Sequence, residues 1–105
     1  MANAFKNYIA ASVTTQTSVY TTPSATQTTV IGLNVANTNA TAASVDIQVT
    51  SGATTIYIVK GAPIPVGGAL VAVGGDQKLV LEAADVLKVT STVTVDVSVS
   101  VLEIS

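Results

Sequence analysis

The chain has 105 residues, of which 49% are hydrophobic and only 10% are charged, and its formal net charge is −2. Ordinary soluble proteins carry roughly 25% charged residues, so this chain has apolar material for one core but few charges for its surface. Its four basic residues are lysines spread along the chain, which excludes the clustered cations that nucleic-acid binding requires. It has no histidine and no cysteine, which excludes the usual proton carrier, disulfides and thiolate metal sites.

Membrane insertion and secretion are not expected. No apolar run approaches the roughly 18 residues that a transmembrane helix requires. The first residues, MANAFKNYIAA, lack a basic region followed by a continuous apolar stretch, so they do not resemble a signal peptide. We therefore expect synthesis in the cytoplasm without secretion.

The N-terminal segment differs from the rest of the chain in its aromatic residues. It holds the only phenylalanine, Phe5, together with Tyr8 and Ile9, ahead of the first clear strand. Either the segment folds back over the end of the domain, or it is an arm that packs on a neighbouring subunit. We assign 1–11 as an N-terminal arm or strand lead-in and 12–105 as one β-sandwich domain, a common domain size.

Alternation of apolar and polar residues predicts most of the strands. Residues 14–20 are β-rich but weakly patterned, and residues 28–37 place Ile31, Leu33 and Val35 on one face, with Gly32 indicating a bulge or a close neighbour. Residues 43–50 alternate cleanly. They form a predicted hairpin with 54–60 around the Ser51-Gly52-Ala53 turn.

The stretch 61–68 interrupts regular structure. Pro63 and Pro65 each lack a backbone donor, so this segment is predicted to be a sheet edge or a loop that crosses the end of the sandwich. This break and the N-terminal segment are the two departures from an otherwise regular pattern. We therefore predict an interface at these two places, formed by Phe5, Tyr8, Ile9, Pro63, Ile64 and Pro65.

The last part of the chain contains four further predicted strands. Residues 69–73 end at a turn, Gly74-Gly75-Asp76, and residues 78–81 end at a tight turn, 82–85. Residues 86–90 and 93–104 are predicted to form a hairpin about 90–92. Alternation breaks at Leu102 and Ile104, which indicates either a bulge near Leu102 or a strand covered on both faces.

These elements predict an all-β fold, because no segment has the length and period of a helix. Several short strands at even spacing must bury their apolar faces against each other, in two packed sheets or a closed barrel. We predict a single-domain antiparallel β-sandwich, jelly-roll-like, of about eight short strands. The valine-rich face of 93–101 is predicted to lie in its core.

Residues suited to chemistry are sparse. Glu82 and Asp85 form the nearest carboxylate pair, and Asp85 is read as a turn cap in preference to a calcium or glycosidase ligand. Asp46 and Asp96 lie on outward strand positions and are read as charges that oppose strand-to-strand aggregation. A catalytic Ser–Lys dyad is not excluded by the sequence, but each lysine also reads as an ordinary solvated charge at a strand end. We predict no enzyme: no catalytic residue, cofactor site or metal site is assigned.

Three segments together resemble a known family. VYTTPSATQTTVIGLNVANTNATAASVDIQV (19–49), APIPVGGALVAVGGDQKLVLEAADVLKVTS (62–91) and DVSVSVLEIS (96–105) resemble small virion proteins of tailed phages, common in phages of marine cyanobacteria. The resemblance covers nearly the whole chain, but none of its motifs encodes chemistry. It departs from the family at Ala84-Asp85, where a Gly-Asp turn is typical.

The resemblance implies a non-enzymatic β-sandwich component of the virion, synthesised in the cytoplasm of a bacterial host. Its implied partners are other virion proteins, either the major capsid protein or tail and neck proteins, and further copies of itself in a homo-oligomer. No nucleic acid and no membrane are expected as partners. A capsid decoration, or cement, protein is the first hypothesis; a neck, tail, baseplate or fibre component is the second, and a carbohydrate-binding host-attachment module is the third.

Overall fold

A computed structural model describes residues 3–74 and 78–105, which form nine β-strands. The strands are β1 (Asn3–Val13), β2 (Thr17–Thr21), β3 (Gln27–Asn37), β4 (Ala43–Ser51), β5 (Thr54–Ile64), β6 (Ala69–Val73), β7 (Leu79–Leu81), β8 (Val86–Ser91) and β9 (Val95–Ile104). The predicted all-β sandwich is confirmed. The strand beyond the expected eight is β1, in the segment assigned as an arm or lead-in. The predicted turn at Gly74-Gly75-Asp76 lies partly outside the described residues.

The strands form two antiparallel sheets. The first sheet has the order β1-β9-β3-β6, and the short strand β7 pairs with the same edge of β3 as β6. The second sheet has the order β2-β8-β4-β5. The pairs β1–β9, β2–β8, β3–β6 and β4–β5 make the chain one long hairpin wound across the two sheets. This order is jelly-roll-like.

The core lies between the sheets and is built from alternating branched side chains. Every second residue of β9, from Val95 to Val101, is buried, and every second residue of β4, from Val45 to Val49, faces it from the other sheet. Each buried valine or isoleucine contributes about 1.5–3 kcal/mol to the stability of the fold. The valine-rich face predicted for the C-terminal strand is therefore core, with Val93 partly buried just ahead of it.

The bulge predicted at Gly32 is present. The register between β3 and β9 shifts between Val30 and Gly32, so that Ile31 is an extra residue on β3. An extra residue in a strand changes which side of the sheet the preceding side chains point to. Val30 is therefore buried in place of Ile31. The prediction that Ile31 shares the inward face of Leu33 and Val35 was wrong for this reason.

The C-terminal hairpin prediction was also wrong. β8 pairs with β2 and β4 in the second sheet, whereas β9 pairs with β1 and β3 in the first. The residues between them cross from one sheet to the other. Apolar and polar residues alternate in both strands because each strand covers one side of the same core. The same alternation occurs in strands that are neighbours in one sheet and in strands that face each other from two sheets, so it does not show which strands pair.

The hairpin of β4 and β5 is confirmed, with its turn between Ser51 and Thr54. Pro63 lies on β5, which is an edge strand, one of the few places where a sheet accepts a residue without a backbone donor. The turn at 82–85 is confirmed too: the Asp85 carboxylate accepts a 2.9 Å hydrogen bond from the Glu82 backbone N–H. Both predictions rest on local chemistry that the sequence shows directly.

Candidate interaction surface and the buried glutamate beneath it

The inward side of β1 meets a buried carboxylate. Glu103 on β9 is 6% exposed, although it is charged. The Tyr8 hydroxyl donates a 2.9 Å hydrogen bond to Glu103 Oε2, and Lys6 Nζ lies 3.2 Å from Glu103 Oε1. Both side chains come from β1, so the edge strand is attached to the sheet through this carboxylate as well as through its backbone ladder.

The second sheet reaches the same carboxylate. Tyr20 on β2 is buried, and its hydroxyl donates a 2.7 Å hydrogen bond to Glu103 Oε2. The Tyr20 hydroxyl also lies 2.7 Å from Thr28 Oγ1 on β3. The rings of Tyr8 and Tyr20 pack with centroids 4.8 Å apart at 59°. One oxygen thus joins β1, β2 and β9, and each buried polar atom of the cluster has a partner, as low-dielectric burial requires.

The pKa shifts follow from this arrangement. Burial acts to raise the pKa of Glu103, but hydrogen bonds from Tyr20, Tyr8 and Lys6 outweigh it and hold the pKa below its ordinary value. Burial raises the pKa of Tyr20 to about 12, and the bond to Glu103 adds to that shift. The cluster therefore holds an ionised carboxylate and neutral phenols at neutral pH, which suits a structural tie between strands.

The outward side of β1 carries two exposed apolar side chains, with Asn7 between them. Phe5 and Ile9 are 78% and 79% exposed on it. Phe5 begins a row that crosses the first sheet through Leu102 and Thr29 to Val80. A parallel row, four residues further along β1 and four residues back along β9, runs from Ile9 to Val71 on the opposite edge, and Val71 and Val80 are each 66% exposed.

Between these apolar borders lie small polar residues. The Ile9 row passes through Ser98 and Asn34, and Ser100 opposite Gly32 occupies the space between the two rows. A shallow groove of about 280 Å³ runs beside Ile9 and Asn34. Asp96 lies at its end and is the only charged residue at the outward strand positions that the structure describes for this sheet. We call this whole surface the outer face of the first sheet.

The outer face of the second sheet has the opposite character. Cross-strand neighbours on β4 and β8 are polar: Asp46 lies opposite Thr90, and Gln48 lies opposite Lys88. At the β5 edge, Lys60 Nζ sits 4.4 Å from the centre of the Tyr57 ring. The second sheet therefore has a largely polar outer face, with Ile56 and Tyr57 about half exposed on its edge strand β5, and the first sheet has a nearly uncharged outer face whose apolar side chains are more exposed.

The predicted interface residues are divided between the two long sides of the sandwich. Phe5 and Ile9 lie on β1, whereas Pro63 and Pro65 are exposed at the end of β5, the far edge strand of the second sheet. The structure does not bring these two groups together. Whether either group binds a partner stays a prediction.

Two of the predicted interface side chains point into the molecule. Ile64 is 1% exposed and belongs to the core, because it shares the inward side of β5 and lies opposite the buried Ala43. Tyr8 points inward to Glu103. Both side chains lie at inward strand positions, since an alternating strand gives only every second residue to its outer face, and their part in an interface stays a prediction.

Asp46 and Asp96 have a role that the sequence did not indicate. Asp96 Oδ1 accepts a 3.0 Å bond from the Ser12 N–H, and Asp46 Oδ1 accepts a 2.7 Å bond from the Gly61 N–H. Ser12 and Gly61 both have positive φ and lie in or beside register shifts of the edge strands β1 and β5. Each aspartate thus satisfies a backbone donor that a bulge removes from the ladder.

Other parts of the described chain offer little for catalysis or metal binding. An open depression of about 710 Å³ at one end of the sandwich includes Glu82 and Asp85, but Asp85 caps its own turn. Within residues 3–74 and 78–105, no group of three or more metal-binding side chains comes together. The same residues include no helix long and apolar enough to cross a membrane.

Glu103 is the residue that sequence analysis missed. The parity change at Leu102 and Ile104 was its only signal, and both predicted explanations concerned these apolar residues instead of the charged one between them. Both lie on the outward side, partly covered, while Glu103 keeps the inward parity of Val101. The β9 register with β1 is continuous there, and the nearby shift with β3 comes from Ile31.

Comparisons with known proteins give a partial structural likeness only. No protein-family model matches the chain, and no curated protein matches it. Among solved structures, two pentameric capsid proteins isolated from metagenomic phage sequences align with TM-scores of 0.46 and 0.44, each at 22% identity. The alignments cover 92% of this chain but only 60% and 59% of those proteins. This chain therefore spans less than two thirds of their length.

Proposed function

We propose that the chain is a non-enzymatic structural protein of a phage virion, first of all a decoration protein that stabilises the head. The observation that carries the proposal is the contrast between the two outer faces. Apolar side chains that are two thirds or more exposed, from Phe5 on β1 to Val71 on β6, border a nearly uncharged sheet face. Exposed apolar patches of this kind mark contact surfaces, and the resemblance of the sequence to small virion proteins supports the same class.

The mechanism of such a protein is passive. Each copy would place its apolar outer face against a neighbour in the virion, either another copy or a different virion protein, and its polar face away from that contact. Many equivalent weak contacts, repeated around a symmetric shell, give a large total stabilisation through avidity. The partners in this proposal are the major capsid protein, or tail and neck proteins, together with further copies of this chain, and its location is the virion.

The second candidate is a component of the neck, tail, baseplate or fibre. The same apolar face serves a tail assembly equally well, so copy number separates the two. A carbohydrate-binding module needs aromatic rings gathered on one surface, but Tyr8 and Tyr20 point inward, and Phe5 and Tyr57 lie on strands at opposite edges. This third candidate has the least support.

The test is quantitative mass spectrometry of purified virions and of separated heads and tails. Hundreds of copies in the head fraction would support the decoration proposal. A few dozen copies or fewer in the tail fraction would support the second candidate. Absence of the chain from purified virions would overturn the proposed function altogether.

A further inference from the structure

The outer face of the first sheet also indicates what covers it. We propose that this face binds the same face of a second copy, so that two sandwiches stack sheet to sheet as an isologous dimer. The inference deepens the proposed function, on which it rests for its biological setting, by naming the first partner of the apolar face.

The area is sufficient for a stable contact. The sheet is four strands wide and about ten residues long, which corresponds to about 19 by 34 Å, or about 650 Å², at ordinary strand spacing and rise. A standard protein–protein interface buries about 800 Å² on each partner. One such face against another is therefore close to a standard interface, whereas a contact through one strand edge would be far smaller.

The charge of the face suits a second copy. When two identical faces come into contact, charges of the same sign are brought together, which normally opposes self-association. Here the outward strand positions that the structure describes carry a single charge, Asp96, near one end of β9. A two-fold axis across the middle of β9 would separate the two Asp96 carboxylates by about 24 Å along the strands, well beyond the Debye length of about 8 Å at physiological salt.

The shape of the face is compatible with sheet stacking. Stacked sheets in proteins lie about 10 Å apart with their strands nearly aligned. The large residues Phe5, Ile9, Val71 and Val80 form the two borders, and Ser98, Ser100 and Asn34 leave the middle low. Apolar borders of one copy can therefore lie against those of the other copy, and water can bridge the small hydroxyl and amide groups in the low middle, as it does at many interfaces.

The experiment measures the native mass of the full chain by sedimentation and light scattering over a wide concentration range. We expect a dimer with twice the chain's 10.5 kDa. Ile9→Lys and Val71→Lys, on opposite borders of the face, should each weaken dimerisation at least tenfold, because an isologous contact contains every substitution twice. Val66→Lys is the matched control, since Val66 is 58% exposed in the loop after β5, outside this face. Thermal melts establish that each variant is folded.

A wild-type chain that stays monomeric, or an oligomer that Val66→Lys weakens as much as the face variants do, overturns the inference. If the chain is monomeric alone but Ile9→Lys removes it from virions, a different virion protein covers the face; the second copy is then rejected and the proposed function stands. If the face-dependent dimer forms but virions lack the chain, the inference stands and the proposed function fails.

Discussion

The Tyr20 hydroxyl donates a 2.7 Å hydrogen bond to the Glu103 carboxylate, from the second sheet to the first. The Tyr8 hydroxyl donates to the same oxygen from β1. The two sheets of the sandwich are thus joined by a polar contact at the margin of an otherwise aliphatic core. This contact holds the strand that carries Phe5 and Ile9, so it fixes one border of the proposed interaction surface.

Glu103→Gln should lower the free energy of unfolding at neutral pH by about 1–3 kcal/mol, because charge-assisted hydrogen bonds are replaced by neutral ones around a buried group. The pKa of Glu103 is lowered in the folded state. Its contribution is therefore present above the unfolded carboxyl pKa of about 4.3, and it is lost as the pH falls through the folded pKa. Urea titrations at neutral and acidic pH measure both effects.

Glu82→Gln is the control for this substitution, because Glu82 is exposed in a turn. It should leave the stability at neutral pH nearly unchanged and retain the acid-dependent loss. Equal stability of the two variants at neutral pH would show that the buried carboxylate does not support the fold.

Tyr20 predicts a second, alkaline loss of stability. Burial raises its pKa to about 12 in the folded state, against about 10 in an unfolded chain. The contribution is complete below the unfolded pKa and disappears as the pH rises from about 10 to 12, an effect of about 2–3 kcal/mol. Chemical denaturation across this range should show the loss in wild type and in Tyr57→Phe, but a much smaller one in Tyr20→Phe. An unchanged alkaline loss in Tyr20→Phe would assign it to another group.

Asp46→Ala should destabilise the chain by about 0.5–1.5 kcal/mol, because it removes the acceptor of the Gly61 N–H at the β5 bulge. Asp46→Asn keeps a carbonyl oxygen at the same place and should recover most of the loss. Amide exchange of Gly61 gives a local readout beside the urea titration: exchange should accelerate in the alanine variant and stay slow in the asparagine variant. Equally fast exchange in both would mean that the charge matters and the acceptor alone does not.

Ala84→Gly should stabilise the chain. Ala84 has a φ of 71° while its N–H donates to the Thr22 carbonyl, and an alanine in this region costs about 1–2 kcal/mol. Glycine removes that strain but gains about 0.4–1 kcal/mol of freedom in the unfolded chain, so a net gain of about 0.5–1 kcal/mol is expected.

Ala83→Gly, one residue earlier in the same turn and without a positive φ, is the control for Ala84→Gly. It should lose about 0.4–1 kcal/mol. Thermal melts of both variants measure the change in stability. A loss of stability in both would show that the turn tolerates alanine without strain.

The sequence predicted the strands well because alternation is a local property of each segment. Residues 43–50 and 54–60 could be paired as well, since a short glycine-containing turn leaves a hairpin as the direct solution. Residues 86–104 could not be paired in the same way. β8 and β9 share a core but belong to different sheets, and only contacts distant in sequence determine that.

The candidate surface was predicted in part. Phe5 and Ile9, which were predicted as interface residues, lie on this surface, but Val71 and Val80, which border the same face, came from runs that were read simply as short strands. The strand order that aligns them is a long-range property. Glu103 was missed because a lone charge near a strand end is usually solvated, and its two phenol donors lie far away in the sequence.

The position of β9 between β1 and β3 has a consequence for how the chain folds. β1 has no partner within the first sheet until the residues of β9 exist, since Tyr8 pairs with Val99. Such pairings between distant segments make folding slow. Until β9 is synthesised, β1 has no partner in the first sheet, and an unpaired strand that exposes Phe5 and Ile9 makes the incomplete chain prone to aggregation. The first sheet can therefore be completed only after β9 has been synthesised and has inserted between β1 and β3.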